Sequence, residues 1–206
     1  MSSAITAATS AAANRTAVVL AAGSSRRLGQ PKQLLEYRGT TLLDVTLNNV
    51  RSFGFAETIV ALGGAAPEVL ERVDLTGLTV VDSVHHTVGC SSSIVASLGA
   101  IDSTSDGFML FLGDQPHVPA AAVNELAAVA DAGAEIGVVD YRNGTGHPFW
   151  LARSMFEALA GLHGDKAVWK LLESGMFEAA HATVDADVPL DVDTWDDYQA
   201  LLGAGG

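Results

Sequence analysis

The chain has 206 residues, 49% of them hydrophobic and 17% charged, with a formal charge of −13 from 11 Lys and Arg against 24 Asp and Glu. Such acidity excludes a general nucleic-acid binder, which needs a basic footprint to release counterions from phosphates, and the low charged fraction excludes a disordered chain. Mean hydropathy is +0.28, yet no apolar run approaches the ~18 residues of a membrane-spanning helix, and Cys90 as the single cysteine permits no internal disulfide, which fits a reducing cytoplasm.

Residues 1–14 are mostly Ala, Ser and Thr without periodicity or the basic start and apolar core of a secretory signal, and read as a floppy tail. From Thr16 to Ala21 a β-branched apolar run stops at Gly23, the pattern of a buried strand followed by a glycine turn. Leu42, Val45, Leu47, Val50 and Phe53 recur at helical spacing. Expected next are a strand at Glu57–Leu62, a helix at Pro67–Val73, a strand at Leu78–Asp82, a helix at Ser91–Ile101 and a strongly apolar strand at Phe108–Leu112. Pro119–Ala132 reads as a helix with Pro in its first turn and Gly133 past its end, and Glu135–Tyr141 as a strand. The order is then less regular, with a short strand at Phe149–Leu151, helices at Ser154–Ala160 and Lys166–Glu173, a strand at Ala179–Val184 and a last helix from Thr194. Strands alternating with helices imply a mainly parallel sheet covered on both faces, here in one α/β domain over residues 15–206.

Ligands of such sheets sit outside the carboxyl ends of the strands. The segment Leu20-Ala21-Ala22-Gly23-Ser24-Ser25-Arg26-Arg27-Leu28-Gly29-Gln30-Pro31-Lys32 lies at the first strand exit. Small residues there admit a ligand to the backbone, whose N–H groups can cradle phosphate oxygens. Arg27 adds a planar fork and Lys32 a point charge for a triphosphate. The spacing fits neither a P-loop, since Lys32 comes three residues after Gly29, nor a three-glycine dinucleotide fingerprint. Five of the chain's cations (Arg15, Arg26, Arg27, Lys32, Arg38) fall in this early stretch, a basic focus suited to a compact anion. Asp114, in Leu112-Gly113-Asp114-Gln115-Pro116 at the exit of the apolar strand, can hold a magnesium ion bridging phosphate oxygens. Ser92 and Ser93, at a helix N-terminus, supply hydroxyls and amides for an anion or a base edge. His85 and His86 are adjacent and lack the partners of a zinc site.

LAAGSSRRLGQPK resembles the opening signature of nucleotidyltransferases that modify the molybdenum cofactor, with Leu28 in place of the usual methionine. GDQP resembles the segment carrying their metal-binding aspartate, and Gly89-Cys90-Ser91-Ser92-Ser93-Ile94 their G-M-x-x-S element. Gly144-Thr145-Gly146-His147-Pro148 is similar to their G-x-x-G-H-P turn, and Asp191-Val192-Asp193-Thr194-Trp195-Asp196-Asp197-Tyr198 to their late D-I-D-T-P-E-D-Y. The resemblance implies a three-layer α/β/α Rossmann-like nucleotidyltransferase fold with a mainly parallel, partly mixed sheet. It implies nucleotide binding by Leu20, Ala21, Ala22, Gly23, Ser25, Arg27, Lys32, Ser92, Ser93 and Asp114, with Arg27, Lys32 and Asp114 catalytic. Magnesium falls to Asp114 and Asp193. Gly146, His147, Pro148 and Asp165 fall to a pterin acceptor.

Ala22 points to the branch using CTP, so the implied reaction is CTP plus a molybdopterin-type cofactor giving a cytidine dinucleotide and pyrophosphate. A molybdenum hydroxylase or its chaperone is the implied downstream partner. Gly164-Asp165-Lys166 begins like the family's G-D-x-G-A-R, but Ala167, Val168 and Trp169 replace Gly, Ala and Arg. That departure leaves open an NAD(P)H-dependent oxidoreductase of the same family, of the nicotine blue oxidoreductase kind, or a non-catalytic carrier of the modified cofactor.

Overall fold

A computed structural model of the chain describes residues 12, 14–23, 25–83, 90–161, 164 and 167–204, and of Cys90 and Ala167 the backbone only. Of the expected tail, residues 1–11 and 13 lie outside the described residues. Ala12 is buried, and the Asn14 carbonyl accepts a hydrogen bond from the Asp106 N–H at 3.2 Å.

In chain order the elements are β1 (Thr16–Ala21), β2 (Glu36–Tyr37), β3 (Thr40–Thr41), α1 (Leu42–Ser52), β4 (Glu57–Leu62), α2 (Ala66–Arg72), β5 (Thr79–Asp82), α3 (Cys90–Leu98), β6 (Gly107–Leu112) and α4 (Ala120–Asp131). There follow β7 (Ile136–Tyr141), β8 (Gly144–Ala152), α5 (Phe156–Ala160), α6 (Ala167–Glu173), β9 (Ala179–Thr183) and α7 (Trp195–Ala204). Seven strands form one sheet in the order β5-β4-β1-β6-β8-β7-β9, and β2 and β3 form a small hairpin. β8 alone runs against its neighbours, pairing antiparallel with both β6 and β7. The sheet is therefore mainly parallel with one reversed strand.

Alternation along the strands feeds two cores, as period-2 geometry requires. Val19 and Phe111 face one side with Leu43 and Leu47 of α1 and Val123 and Leu126 of α4. Val18 and Leu110 face the other with Ile94 of α3, Leu159 of α5 and Leu171 of α6. The result is helix, sheet, helix in three layers. Among the described residues no helix is long and apolar enough to cross a membrane.

A third, smaller cluster matters most for the site. Leu28 from the loop after β1 packs with Leu35, Tyr37, Leu42, Val192 and Leu201. It joins that loop to the segment before α7 and to α7 itself, and Tyr198 of α7 also donates its hydroxyl to the Glu36 carbonyl.

Two elements differ from expectation. β8 spans nine residues rather than three: Gly144, Gly146 and Pro148 have poor strand propensity. Pro148, which has no N–H to give the ladder, falls where the β7–β8 register shifts between Gly137 and Val139. The β2–β3 hairpin turns on Arg38 and Gly39, both at positive φ (54° and 78°), the two-residue turn that Asn-Gly usually announces. Thr41 ends β3 and also caps α1 in a reciprocal box with Asp44.

Candidate functional site

β1 and β6 are adjacent and parallel, so the loops leaving them meet at one edge, where the Gly113 N–H donates to the Leu20 carbonyl at 2.9 Å. The loop after β1 curls through Ser25 and Gly29, at φ of 49° and 70°. The Leu28 and Gly29 N–H groups donate to the Ser25 carbonyl at 3.0 and 3.2 Å, and the Lys32 N–H donates to Ser25 Oγ at 2.9 Å. The buried Gln33 braces it from behind, its amide donating to the carbonyls of Ala21 at 2.6 Å and Gly23 at 3.2 Å. Gly23 itself is exposed, and a Cβ there would meet only Lys32 Cε at 3.6 Å, an ordinary contact. Nothing within the described chain demands glycine at that position, whereas a ligand seated on the backbone would.

Lys32 is delivered to the centre of the edge. Its Nζ donates to Asp114 Oδ2 and, at 2.9 Å, to Asp193 Oδ1, while Arg27 Nη2 donates to Asp193 Oδ2 at 2.7 Å. Asp114 is only 6% exposed. Burial pushes its carboxyl above the ordinary aspartate value against the pull of Lys32. Burial likewise works against the charge of Lys32, but Asp114 and Asp193 together outweigh it and hold the ammonium above the usual lysine value. The Lys32 hydrogen bond keeps the half-buried Asp193 below the ordinary range.

Two further contacts place Asp193. Gln115 donates its side-chain amide to the Pro189 carbonyl at 3.1 Å, and Val192 sits in the Leu28 cluster. Asp197 is engaged by the start of α7, accepting from the Thr194 N–H and hydroxyl at 2.7 Å each, which leaves the Asp193 carboxylate to the site.

The fit to magnesium follows from the donor set. Two carboxylates converge on one cationic point, and magnesium typically takes one or two carboxylates with water and phosphate oxygens completing its shell. Among the described residues no group of three or more metal-ligating side chains gathers; Asp114 and Asp193 are the carboxylates that meet at Lys32.

The other expected residues lie along the same edge. Leu20, Ala21 and Ala22 form the β1 exit, and the Ser25 hydroxyl is occupied in holding Lys32. Ser93 is buried and donates to Ser83 Oγ at 3.1 Å, and Ser92 Oγ lies 3.2 Å from the same atom. This hydroxyl group stands at the β5 exit, two strands from β1, about 10 Å away.

On the other flank, Gly146 and Pro148 are buried in β8, and the His147 ring packs on Phe149 at a centroid distance of 4.2 Å. Trp169 of α6 meets Phe149 edge-on at 5.3 Å, so the indole that stands where the resembling family has arginine serves the packing of this flank. The Ser91 N–H donates to the Gly164 carbonyl at 3.3 Å, bringing the start of α3 to the same region. Asp165, Ser24, Gly89, His85 and His86 lie outside the described residues.

Gln33, Gln115 and Gly63 were not anticipated. Gly63 carries a sequence signal, since a glycine directly after a strand at Leu62-Gly63 repeats Leu112-Gly113. The two glutamines carry none, because amide braces have no fixed spacing.

Burial pushes the His147 imidazole down to about 4 from 6.5. Between those values the unfolded chain holds a proton that the folded one lacks, so stability is complete above pH 6.5 and falls as pH drops toward 4. One pKa unit corresponds to about 1.4 kcal/mol, so the loss reaches at most ~3.5 kcal/mol. Urea unfolding of wild type and His147→Gln at pH 7, 5.5 and 4 should show a steeper decline in wild type; parallel declines would remove His147 as the cause.

Comparison with known proteins places this edge in context. Residues 17–184 match the family described as the MobA-like NTP transferase domain. Among solved structures, the homologue of Mycobacterium tuberculosis Rv0371c from Mycobacterium sp. strain JC1 is 54% identical, with a TM-score of 0.86 over 93% of this chain and 96% of that one. Rv0371c of M. tuberculosis in complex with manganese is 46% identical, with a TM-score of 0.83 over 93% and 99%. The nicotine blue oxidoreductase of Paenarthrobacter nicotinovorans is 35% identical over 112 residues, 54% of each chain, so the match spans about half its length. The molybdenum cofactor cytidylyltransferase of Escherichia coli is 24% identical over 88% of this chain and 92% of that protein.

Proposed function

The chain belongs to the family of MobA-like NTP transferase domains, and on that premise we propose that it transfers CMP from CTP to a molybdopterin-type molybdenum cofactor. An oxygen of the acceptor's terminal phosphate attacks the α-phosphorus of CTP, the bond from that phosphorus to the bridging oxygen breaks, and pyrophosphate leaves with the electron pair. The observation that carries the reading is the meeting of Arg27 and Lys32, from the loop after β1, with Asp114 and Asp193 within hydrogen-bond distance.

There is little covalent chemistry for the protein to do; its work is alignment and charge stabilisation. The exposed backbone at Gly23 and the neighbouring Ala22 receive the triphosphate. Arg27 and Lys32 neutralise the charge that builds on the departing pyrophosphate. Asp114 and Asp193 would hold magnesium, which supplies Lewis-acid neutralisation of the phosphate oxygens when bound. Ser92 would meet the nucleoside end, whereas Ser93, expected there too, is buried and spends its hydroxyl on Ser83 behind it. Gly146, His147 and Pro148, with Asp165, receive the pterin, for which a neutral imidazole on an aromatic floor is a suitable wall. The choice of CTP rests on Ala22 and on the similarity to the E. coli cytidylyltransferase, and the product would pass to a molybdenum hydroxylase or its chaperone.

The test is pyrophosphate release with each of CTP, GTP, ATP and UTP, with and without molybdopterin and magnesium. Release is expected with CTP when both are present; silence with all four nucleotides would end the transferase reading. A second reading has its own support: the 35% identity to nicotine blue oxidoreductase and Trp169 on the acceptor flank. Steady NADH or NADPH consumption with an oxidised acceptor, and no pyrophosphate from any nucleotide, would establish it instead.

A further inference from the structure

We propose that Lys32 is an internal counter-cation that keeps the divalent-metal seat closed until a polyphosphate draws it away. Metal and nucleotide then bind as one cooperative event, and metal alone binds poorly. The proposal deepens the nucleotidyltransferase reading and rests on it.

One ammonium bonds both carboxylates assigned to the metal, Asp114 Oδ2 and Asp193 Oδ1. Arg27 takes the second oxygen of Asp193, so two acids and two cations cancel formally. The Lys32 side chain is 16% exposed and that of Asp114 8%, leaving water little part in either charge. A divalent ion entering while Lys32 stays would lie beside a fixed positive charge, and like charges a few ångströms apart in a buried site strongly oppose one another. The metal therefore needs the ammonium to leave.

The geometry also supplies the route. The Lys32 backbone N–H is anchored on Ser25 Oγ, while its stem passes Gly23, with Cε 3.6 Å from the position a Cβ would take there. A triphosphate on the exposed Gly23 backbone would meet the lysine stem directly. The flexible four-carbon chain can then turn its ammonium from carboxylate to phosphate without moving the loop. Arg27, at 66% side-chain exposure, touches only the outer acid and does not fill the seat. Linkage requires the gain in metal affinity caused by nucleotide to equal the gain in nucleotide affinity caused by metal.

The test measures manganese(II) retained with the full chain in equilibrium dialysis, with and without a non-hydrolysable CTP analogue, so that metal held by the freely diffusing analogue alone is not counted. Wild type, Lys32→Met and Arg26→Met are compared. Wild type should bind manganese about tenfold or more tightly when the analogue is present. Lys32→Met should bind it about tenfold more tightly than wild type without nucleotide, and lose most of the nucleotide's enhancement. Arg26→Met removes the same unit charge from an exposed position of the same loop and should change affinity by less than about threefold.

Equal nucleotide-free affinity in wild type and Lys32→Met overturns the proposal, as does an equal gain in Arg26→Met or a wild-type affinity indifferent to the bound analogue. If Lys32→Met does not fold by circular dichroism, Lys32→Gln, which also removes the charge but keeps a polar end, is compared in its place with the same expected gain. If calorimetry finds no binding of the analogue at any manganese concentration, the nucleotidyltransferase reading fails, and the nucleotide-free arm still decides the role of Lys32.

Discussion

Asp114→Asn is expected to lower magnesium-dependent pyrophosphate release by about 10²–10³-fold or more, the size seen when one preorganised electrostatic group is removed from an active site, while the protein stays folded. Asn matches Asp in shape but cannot neutralise a cation. The fold should tolerate the change, because Lys32 keeps Asp193 at 2.9 Å and burial already opposes the charge of Asp114. A stopped-rate assay of pyrophosphate with saturating CTP and magnesium, beside a thermal melt, checks both halves. Turnover within a few-fold of wild type would remove Asp114 from the metal site; loss of the melting transition would make it a structural residue.

Gly63→Ala should be the most damaging single-methyl change at the site edge. A Cβ on Gly63 would lie 2.6 Å from the Ala22 carbonyl oxygen and 2.9 Å from both Cα and Cβ of Ala22. All three atoms belong to backbone or to a methyl fixed on it, so no flexible side-chain end can turn away. Either β4 or the β1 exit must shift, and overpacking of this kind costs roughly 1–3 kcal/mol. For a domain of this size that corresponds to a fall in Tm of about 3–10 °C. The displaced group is the backbone assigned to the triphosphate, so KM for the nucleotide should rise about tenfold with a smaller change in kcat. Wild-type Tm and KM together would show that the β1 exit yields freely and that its position carries no function.

Much of the architecture was readable before any coordinates, for a physical reason. β1 and β4 are buried on both faces, so each carries a continuous apolar run, residues 17–21 and 59–62, and the observed bounds match those read from the sequence. β8 escaped because its glycines and Pro148 speak against a strand, and only pairing with β6 and β7 makes one of it. At the site, Arg27, Lys32 and Asp114 stood out because each follows a strand that must end at the same edge. Asp193 could not be placed that way. It comes from irregular chain, was suggested only by resemblance, and reaches the site through contacts between residues far apart in sequence: Gln115 with Pro189, and Leu28 with Val192. Gln33 was silent because an amide brace depends on where two carbonyls finish in space.

The single reversed strand divides the edge into two territories. On the proposed function, the residues assigned to the triphosphate come from the parallel run β5-β4-β1-β6 and the segment pinned to it, while those assigned to the acceptor come from β8 and the elements beyond. A chain built so can exchange its recipient molecule by rewriting the second territory and leave the phosphate grip intact. The replacement of an arginine by Trp169, beside an unaltered GDQP turn, is the mark such a rewriting would leave.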